Sequence, residues 1–218
     1  MRLRASGWVR ARRDRALELR AKWGTMGSMR VPALLAAAAL TLFALPTWAD
    51  EEIATGSPAP GFHLKTLNPD VAKLPWVSLD HYVGPDAEDP DAKAVLLSFF
   101  ASWCGPCKKE MPYLEELNQK FKEQGLRVLS VDIDKEPAGI EQAKSLATTS
   151  KVTYPVLSDR FNFLARRYLG EKSPLPSVFI ILRDGNIARI EKGYGKDASS
   201  FLLAEVKKAL APPAPQGK

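Results

Sequence analysis

Cysteine is scarce in this chain. There are two in 218 residues, and both fall in Trp103-Cys104-Gly105-Pro106-Cys107. A pair this close cannot staple distant segments, and the loop it closes removes little entropy from the unfolded chain. A structural disulfide framework is therefore excluded. Histidine is equally scarce, at His63 and His81, and none follows the cysteines. A closed zinc centre wants four ligands, so no metal and no other cofactor is expected. Basic excess is lacking once the N-terminus is set aside. Nine of the 31 Lys/Arg and two of the 25 Asp/Glu lie in residues 1–49, leaving 22 basic against 23 acidic residues. Nothing there suggests nucleic acid. Internal repeats are missing too. The acidic stretch from Gly84 to Lys93 has no regular alternation and no central glycine, so it reads as a solvated loop rather than a calcium site.

The positive charge belongs to the leader. Arg30 precedes an apolar run, Val31 to Leu45, that ends in Pro46-Thr47-Trp48-Ala49. A charged region, an apolar region and a small residue before a cut are the parts of an export signal. Residues 1–49 are read as that signal, with cleavage after Ala49 and a periplasmic or otherwise extracytoplasmic mature protein. The long stretch before Met29 fits a misassigned start within residues 1–28. The run holds no cysteine, which excludes a lipoprotein anchor, and Arg12-Arg13 lies too far from it for a twin-arginine signal. The rival is an N-terminal membrane anchor, since Val31 to Ala49 just reaches bilayer length; Pro32, Pro46 and the alanine content weaken it. Residues 50–58 are polar and small, a flexible mature N-terminus.

The rest alternates. The segments around Phe62-His63-Leu64 and Trp76-Val77-Ser78 pair as an N-terminal hairpin. Ala94–Ala101 is a buried strand, Gly105–Gln124 a helix stopped by Gly125, and Leu126–Ile133 a second buried strand. Ala138–Ser150 is a helix, Tyr154–Leu157 a short strand and Phe161–Tyr168 a short helix. Ser177–Leu182 and Ile187–Lys192 are strands joined by a turn at Asp184-Gly185. Asp197–Leu210 is an amphipathic helix, and residues 211–218 are a disordered Pro-rich tail. The fold class is α/β, a mixed sheet flanked by helices, with one domain over residues 59–210.

A strand that delivers a C-x-x-C to a helix N-terminus is a redox layout. Unpaired N–H groups and the helix dipole stabilise a thiolate there. Cys104 at the entrance is the expected nucleophile, and Cys107 a turn inside resolves the mixed disulfide. On that helix Cys107, Glu110, Leu114, Leu117 and Phe121 follow 3, 4, 3, 4 spacing and form one stripe. A carboxylate thus sits in an apolar stripe one turn beyond the resolving cysteine. Burial there raises its pKa and lets it exchange protons near neutrality. The bland alternative is a partly exposed glutamate beside Lys109. Pro112 should kink this helix.

Three pieces in order carry a family resemblance: Ser98 to Pro112, the segment Ser173-Pro174-Leu175-Pro176-Ser177, and the Asp184-Gly185 turn. Together the chain resembles the thioredoxin superfamily, and within it the exported TlpA/ResA-like thiol-disulfide oxidoreductases. The resemblance implies a thioredoxin fold, Glu110 as an active-site acid or base, and a cis-proline at Pro176. It places Leu175 against an extended client, with Trp103 a packing and substrate-edge residue. Ser98 stands where thioredoxin proper has a buried aspartate. The uncharged Gly105-Pro106 dipeptide points to a reductant. The implied partners are a protein disulfide client, such as an apocytochrome c or a copper-centre protein, and a membrane thiol-electron donor. The chain is read as a monomer. The alternative is a copper-binding carrier module, since soft thiolates suit Cu(I). Copper-delivery relatives, however, use C-x-x-x-C and a later histidine. A thiol peroxidase is discounted, because Ala101 stands where a Thr or Ser is needed.

Overall fold

The computed structural model describes residues 53–171, 174–195 and 197–212. The export signal and residues 213–218 of the tail lie outside them, as does Ser173. Seven strands form one sheet: β1 (His63–Thr66), β2 (Trp76–Ser78), β3 (Ala94–Phe100), β4 (Leu126–Asp132), β5 (Val156–Ser158), β6 (Ser177–Leu182) and β7 (Ile187–Lys192). Their order is β2-β1-β5-β4-β3-β6-β7. The helices are α1 (Pro69–Ala72), α2 (Gly105–Phe121), α3 (Pro137–Thr149), α4 (Phe163–Leu169) and α5 (Ala198–Leu210). β3, β4 and β5 run parallel, while β6, β7 and the β1–β2 hairpin are antiparallel to their neighbours. The expected mixed α/β sheet is therefore present, with both terminal hairpins.

β3 is buried at all seven positions. A strand covered on both faces reads as a continuous apolar run rather than an alternating one. Its alternation still sorts the core. Leu96 and Phe100 join the cluster that α2, α5 and the alanines of α3 cover. Val95, Leu97 and Phe99 join the cluster under α4 and the segment from Val77 to Val83. Ser98 follows Leu96 and Phe100 onto the α2 side. The α2 stripe forms as spaced: Cys107, Glu110, Leu114, Leu117 and Phe121 are all buried, with Pro112 inside the helix. α2 passes through a 3-10 turn, Lys122–Gln124, and stops at Gly125, where φ is +104° and a Cβ would meet the Asp91 carbonyl oxygen at 2.6 Å. Only glycine fits there.

Besides the short helix α1, three regions depart from expectation. The Ile53–Pro58 part of the flexible stretch is tied down, because Gly56 N donates to Ile187 O (2.7 Å) and Ile187 N donates to Ser57 O (2.9 Å). Those bonds satisfy backbone groups at the start of β7. The acidic loop is anchored rather than simply solvated: Arg127 forks onto the Asp89 carboxylate (2.6 and 3.2 Å). Finally, α4 begins at Phe163 instead of Phe161. The Asp159 carboxylate accepts from the N–H groups of Phe163 (3.0 Å) and Ala165 (2.7 Å), and Asn162 sits in the left-handed region. Among the described residues no helix is long and apolar enough to cross a membrane.

Candidate active site

The site is built where β3 hands over to α2. Cys104 is the N-cap of α2, in extended backbone, and its Sγ accepts the Cys107 N–H at 3.2 Å. A sulfur here takes the role that a Ser or Asp oxygen usually has. Pro106 lies in the first turn, where its missing N–H costs nothing. Cys104 and Cys107 are joined by a disulfide, at 4% and 1% exposure. The entrance cysteine is thus the slightly more accessible of two shielded sulfurs. Trp103 beside it is 69% exposed. Trp103 and half-buried Leu175 line one groove of about 240 Å³ with Ile133, Asn162, Ala165 and Arg166. The Leu175–Pro176 bond is cis. Pro176 is buried, and its carbonyl oxygen accepts from Gly193 N (2.7 Å).

Glu110 lies on the inner face of α2 at 2% exposure. Ser98 Oγ reaches across from β3 and donates to its Oε2 at 2.8 Å. Burial pushes this carboxyl up to about 7, against the opposing pull of the Ser98 hydrogen bond. The surface alternative therefore fails, because Lys109 points to solvent while Glu110 does not. A carboxyl that titrates near neutrality, one turn past Cys107, is equipped to take and return a proton.

A second acidic group was not singled out from the sequence. Asp132 ends β4 fully buried, and Asp134 follows at 5% exposure. Asp134 Oδ2 accepts the Ser102 N–H at 2.6 Å. Asp134 N donates to Asp132 Oδ1 at 3.2 Å, and Asp132 Oδ2 has no partner. Gly139 in the first turn of α3 packs against Asp134, since a Cβ there would lie 2.7 Å from Asp134 Oδ1. Burial, and then the neighbouring Asp134 carboxyl, push Asp132 up to about 9. Thus the loop carrying Cys104 is bound at Ser102 to a carboxylate from the neighbouring strand. The available signal was a strand read through Ile133, which already placed Asp132 inside a buried run.

The histidines sit apart from this chemistry. His63 stacks on Trp76 at 5.4 Å and bonds Ser78, and His81 pairs with Glu88 at 2.8 Å. Among the described residues no cluster of three or more Cys, His, Asp or Glu is placed to hold a metal ion.

Residues 55–190 match the AhpC/TSA family. The thiol-disulfide oxidoreductase ResA of Geobacillus kaustophilus is 31% identical over 160 residues, which is 73% of this chain and 82% of that protein. A Chlorobium tepidum structure, provisionally assigned as the thiol:disulfide interchange protein DsbE, superposes with a TM-score of 0.61 at 26% identity, covering 73% of this chain and all of that one. The thioredoxin domain of a Bacteroides vulgatus thiol-disulfide oxidoreductase gives 0.55 at 25% identity, over 71% of this chain and 99% of that domain.

Proposed function

This chain belongs to the AhpC/TSA family, and from that premise we propose that it is an extracytoplasmic reductant of protein disulfides, using Cys104 and Cys107 with Glu110 as their proton acceptor. It is a thiol-disulfide oxidoreductase of thioredoxin fold. The observation that carries the finer reading is the juxtaposition of a dithiol at a helix N-cap with a buried carboxyl poised near neutral pH.

The steps balance as a two-electron exchange. In the reduced protein the Cys104 thiolate attacks one sulfur of a client disulfide. An S–S bond forms to the client, and the client's other sulfur leaves as a thiolate. Cys107 must then lose its proton. It is shielded inside the helix, and Glu110 one turn on accepts that proton directly or through a water. The Cys107 thiolate attacks Cys104 Sγ, the enzyme disulfide closes, and the second client sulfur leaves. The client gains two electrons and two protons, one proton passed on by Glu110 from Cys107 and one drawn from the solvent that took the Cys104 proton. An external dithiol, a membrane thiol carrier in this reading, restores Cys104 and Cys107.

The neutral Gly105-Pro106 dipeptide supports the reducing direction. It adds no charge to stabilise the thiolate, and a less stabilised reduced form is a better electron donor. Clients in cytochrome c maturation or copper-centre assembly fit such a role, and the leader in residues 1–49 supports export. The test is trapping: Cys107→Ser, expressed in the native host, should strand the client on Cys104 as a mixed disulfide that dithiothreitol releases. Equal trapping by Cys104→Ser, or copper bound stoichiometrically in place of insulin reduction, would overturn the reading. N-terminal sequencing of the native protein should begin at Asp50.

A further inference from the structure

The dithiol is not the only feature aimed at a partner. Among the described residues five large apolar side chains are exposed, and three of them, Trp76, Phe161 and Phe163, line a single cleft of about 850 Å³. Scattered exposed hydrophobics need no explanation, but a cluster in one concavity does. The cleft lies between β1, the start of α4 and the side chains of Ile140 and Lys144 on α3. Only α4 separates it from the groove beside the disulfide. Leu164 and Arg167 face the cleft, while Ala165, Arg166 and Leu169 face the groove. The turn before α4 is a shared rim, with Asn162 in the groove and its two flanking phenylalanines in the cleft.

The charge is one-sided. Lys65, Arg160 and Arg167 line the cleft together with Lys144, which is paired with Glu141 on α3 (2.7 Å), and the single acid in the lining is Asp159. That carboxylate is buried and occupied by the N–H groups of α4. The Arg160 guanidinium lies over the Phe161 ring (5.8 Å) and Arg166 over Phe163 (5.5 Å), so cation and aromatic are presented together. The turn is held by Asn162 N donating to Asp159 O at 2.7 Å. The phenylalanines are thus displayed by an anchored backbone.

We infer that this cleft is a second docking site for the protein client, taking a segment that combines apolar side chains with carboxylates next to the disulfide being reduced. The inference rests on the oxidoreductase reading above. The rim it shares with the groove beside the disulfide favours a client chain over a lipid surface, and its cationic lining selects the sign of the partner's charge. Crossing α4, about 10 Å across, takes an extended chain about three residues at roughly 3.3 Å each. The recognised side chains therefore begin about four residues from the client cysteine. Anchoring there raises the effective concentration of the disulfide at Cys104 and lets the reductant choose its client.

Twelve-residue peptides with one cysteine blocked as a mixed disulfide with thionitrobenzoate test this. The arms, placed on either side of the cysteine in separate peptides, carry Asp with Leu and Phe, Lys with Leu and Phe, or Asp with Ser. The reduced wild-type protein should release thionitrobenzoate from one of the Asp/Leu/Phe peptides about tenfold faster than from its Lys or Ser counterpart. Phe161→Ser/Phe163→Ser should remove the preference for apolar arms. Arg160→Glu/Arg167→Glu should reverse the preference for acid over base. Both variants should reduce free dithionitrobenzoate at the wild-type rate, with melting checked by circular dichroism. Equal rates on all peptides, or a preference that survives both variants, overturns the docking site while leaving the oxidoreductase intact. Peptide rates that do not discriminate, together with binding to phosphatidylglycerol vesicles that both variants lose, would reassign the surface to membrane. Failure to reduce any of these disulfides overturns the oxidoreductase reading itself, and the docking site with it.

Discussion

Two buried acid sites flank the Cys104–Cys107 turn, and they are built in opposite ways. On the helix side Glu110 lies in an apolar stripe, with a hydrogen bond from the Ser98 hydroxyl. On the strand side Asp132 and Asp134 lie together, with one oxygen of each committed to a backbone N–H, that of Asp134 and that of Ser102 respectively, and Asp132 Oδ2 left without a partner. A hydroxyl can donate to a carboxylate or accept from a carboxylic acid, so Glu110 can change protonation without losing its partner. A backbone N–H can only donate, so the Asp134 contact demands an acceptor at all times. The first arrangement suits proton transfer and the second suits holding a loop. Buried carboxyls near a reactive group thus need not share a task, and their partners tell them apart.

The largest expected effect falls on the helix side. Glu110→Gln keeps the shape and removes the proton acceptor, so resolution of the mixed disulfide should slow by about a hundredfold, the lower end of what acid–base groups supply. Stopped-flow reduction followed by acid quench measures it, and the wild-type rate limb near pH 7 should vanish. An unchanged profile would leave Glu110 as packing and erase the contrast between the two sites.

Next is the strand side. Asp134→Ala leaves the buried Ser102 N–H without an acceptor, at a cost of about 1–3 kcal/mol. Urea denaturation should show that loss. Reduction should slow by the same factor at every pH, because the loop is displaced rather than a titration removed. A pH-dependent defect would make Asp134 part of the proton path.

Stability against pH separates the two sites by window. Glu110 has an ordinary value of 4.5 and rises to about 7 in the fold. Between those values the unfolded chain has released the proton and the folded one keeps it, so stability falls as pH rises, by on the order of 3 kcal/mol. Asp132 extends the decline, since its folded value is about 9. From pH 7 to 9 only the Asp132 contribution remains. Asp132→Asn should therefore flatten the urea-midpoint curve above pH 7, and Glu110→Gln should flatten part of it only below. Identical curves for the two variants would merge the sites.

Much of this was legible, for physical reasons that differ by residue. Glu110 announced itself because helical spacing fixes which side chains share a face, and Cys107, Leu114 and Leu117 marked that face as apolar. The Asp184-Gly185 turn was readable because the turn needs the positive φ that Gly185 adopts, +87°. Asp134 was not readable. Its partner, Ser102, is 32 residues away in sequence, and no local pattern encodes a side chain reaching across parallel strands. The same holds for the start of α4, decided by the Asp159 carboxylate rather than by periodicity. The one-turn helix α1 carries no buried residue, and so no apolar pattern, to announce it.

The smallest expected effect is the sharpest. Ser98→Ala deletes the one hydrogen bond that favours the ionised form of Glu110. Stability should fall by only about 0.5–1.5 kcal/mol, the net worth of one such bond. The direction of the kinetic change is more telling than its size. Without Ser98 the Glu110 carboxyl is still buried, so its pKa must rise further. At pH 7 a smaller fraction is then ionised and able to accept the Cys107 proton, and reduction should slow a few-fold. Raising the pH by one to two units should restore the wild-type rate, because the acceptor is displaced along the pH axis and not destroyed. Asp134→Ala should show no such recovery. If Ser98→Ala is slow at every pH, Ser98 positions α2 in the way Asp134 positions the loop, and the two sides of the dithiol are built alike after all. If it recovers, the carboxyl on α2 is the one that moves protons, and the pair at the end of β4 only holds the turn in place.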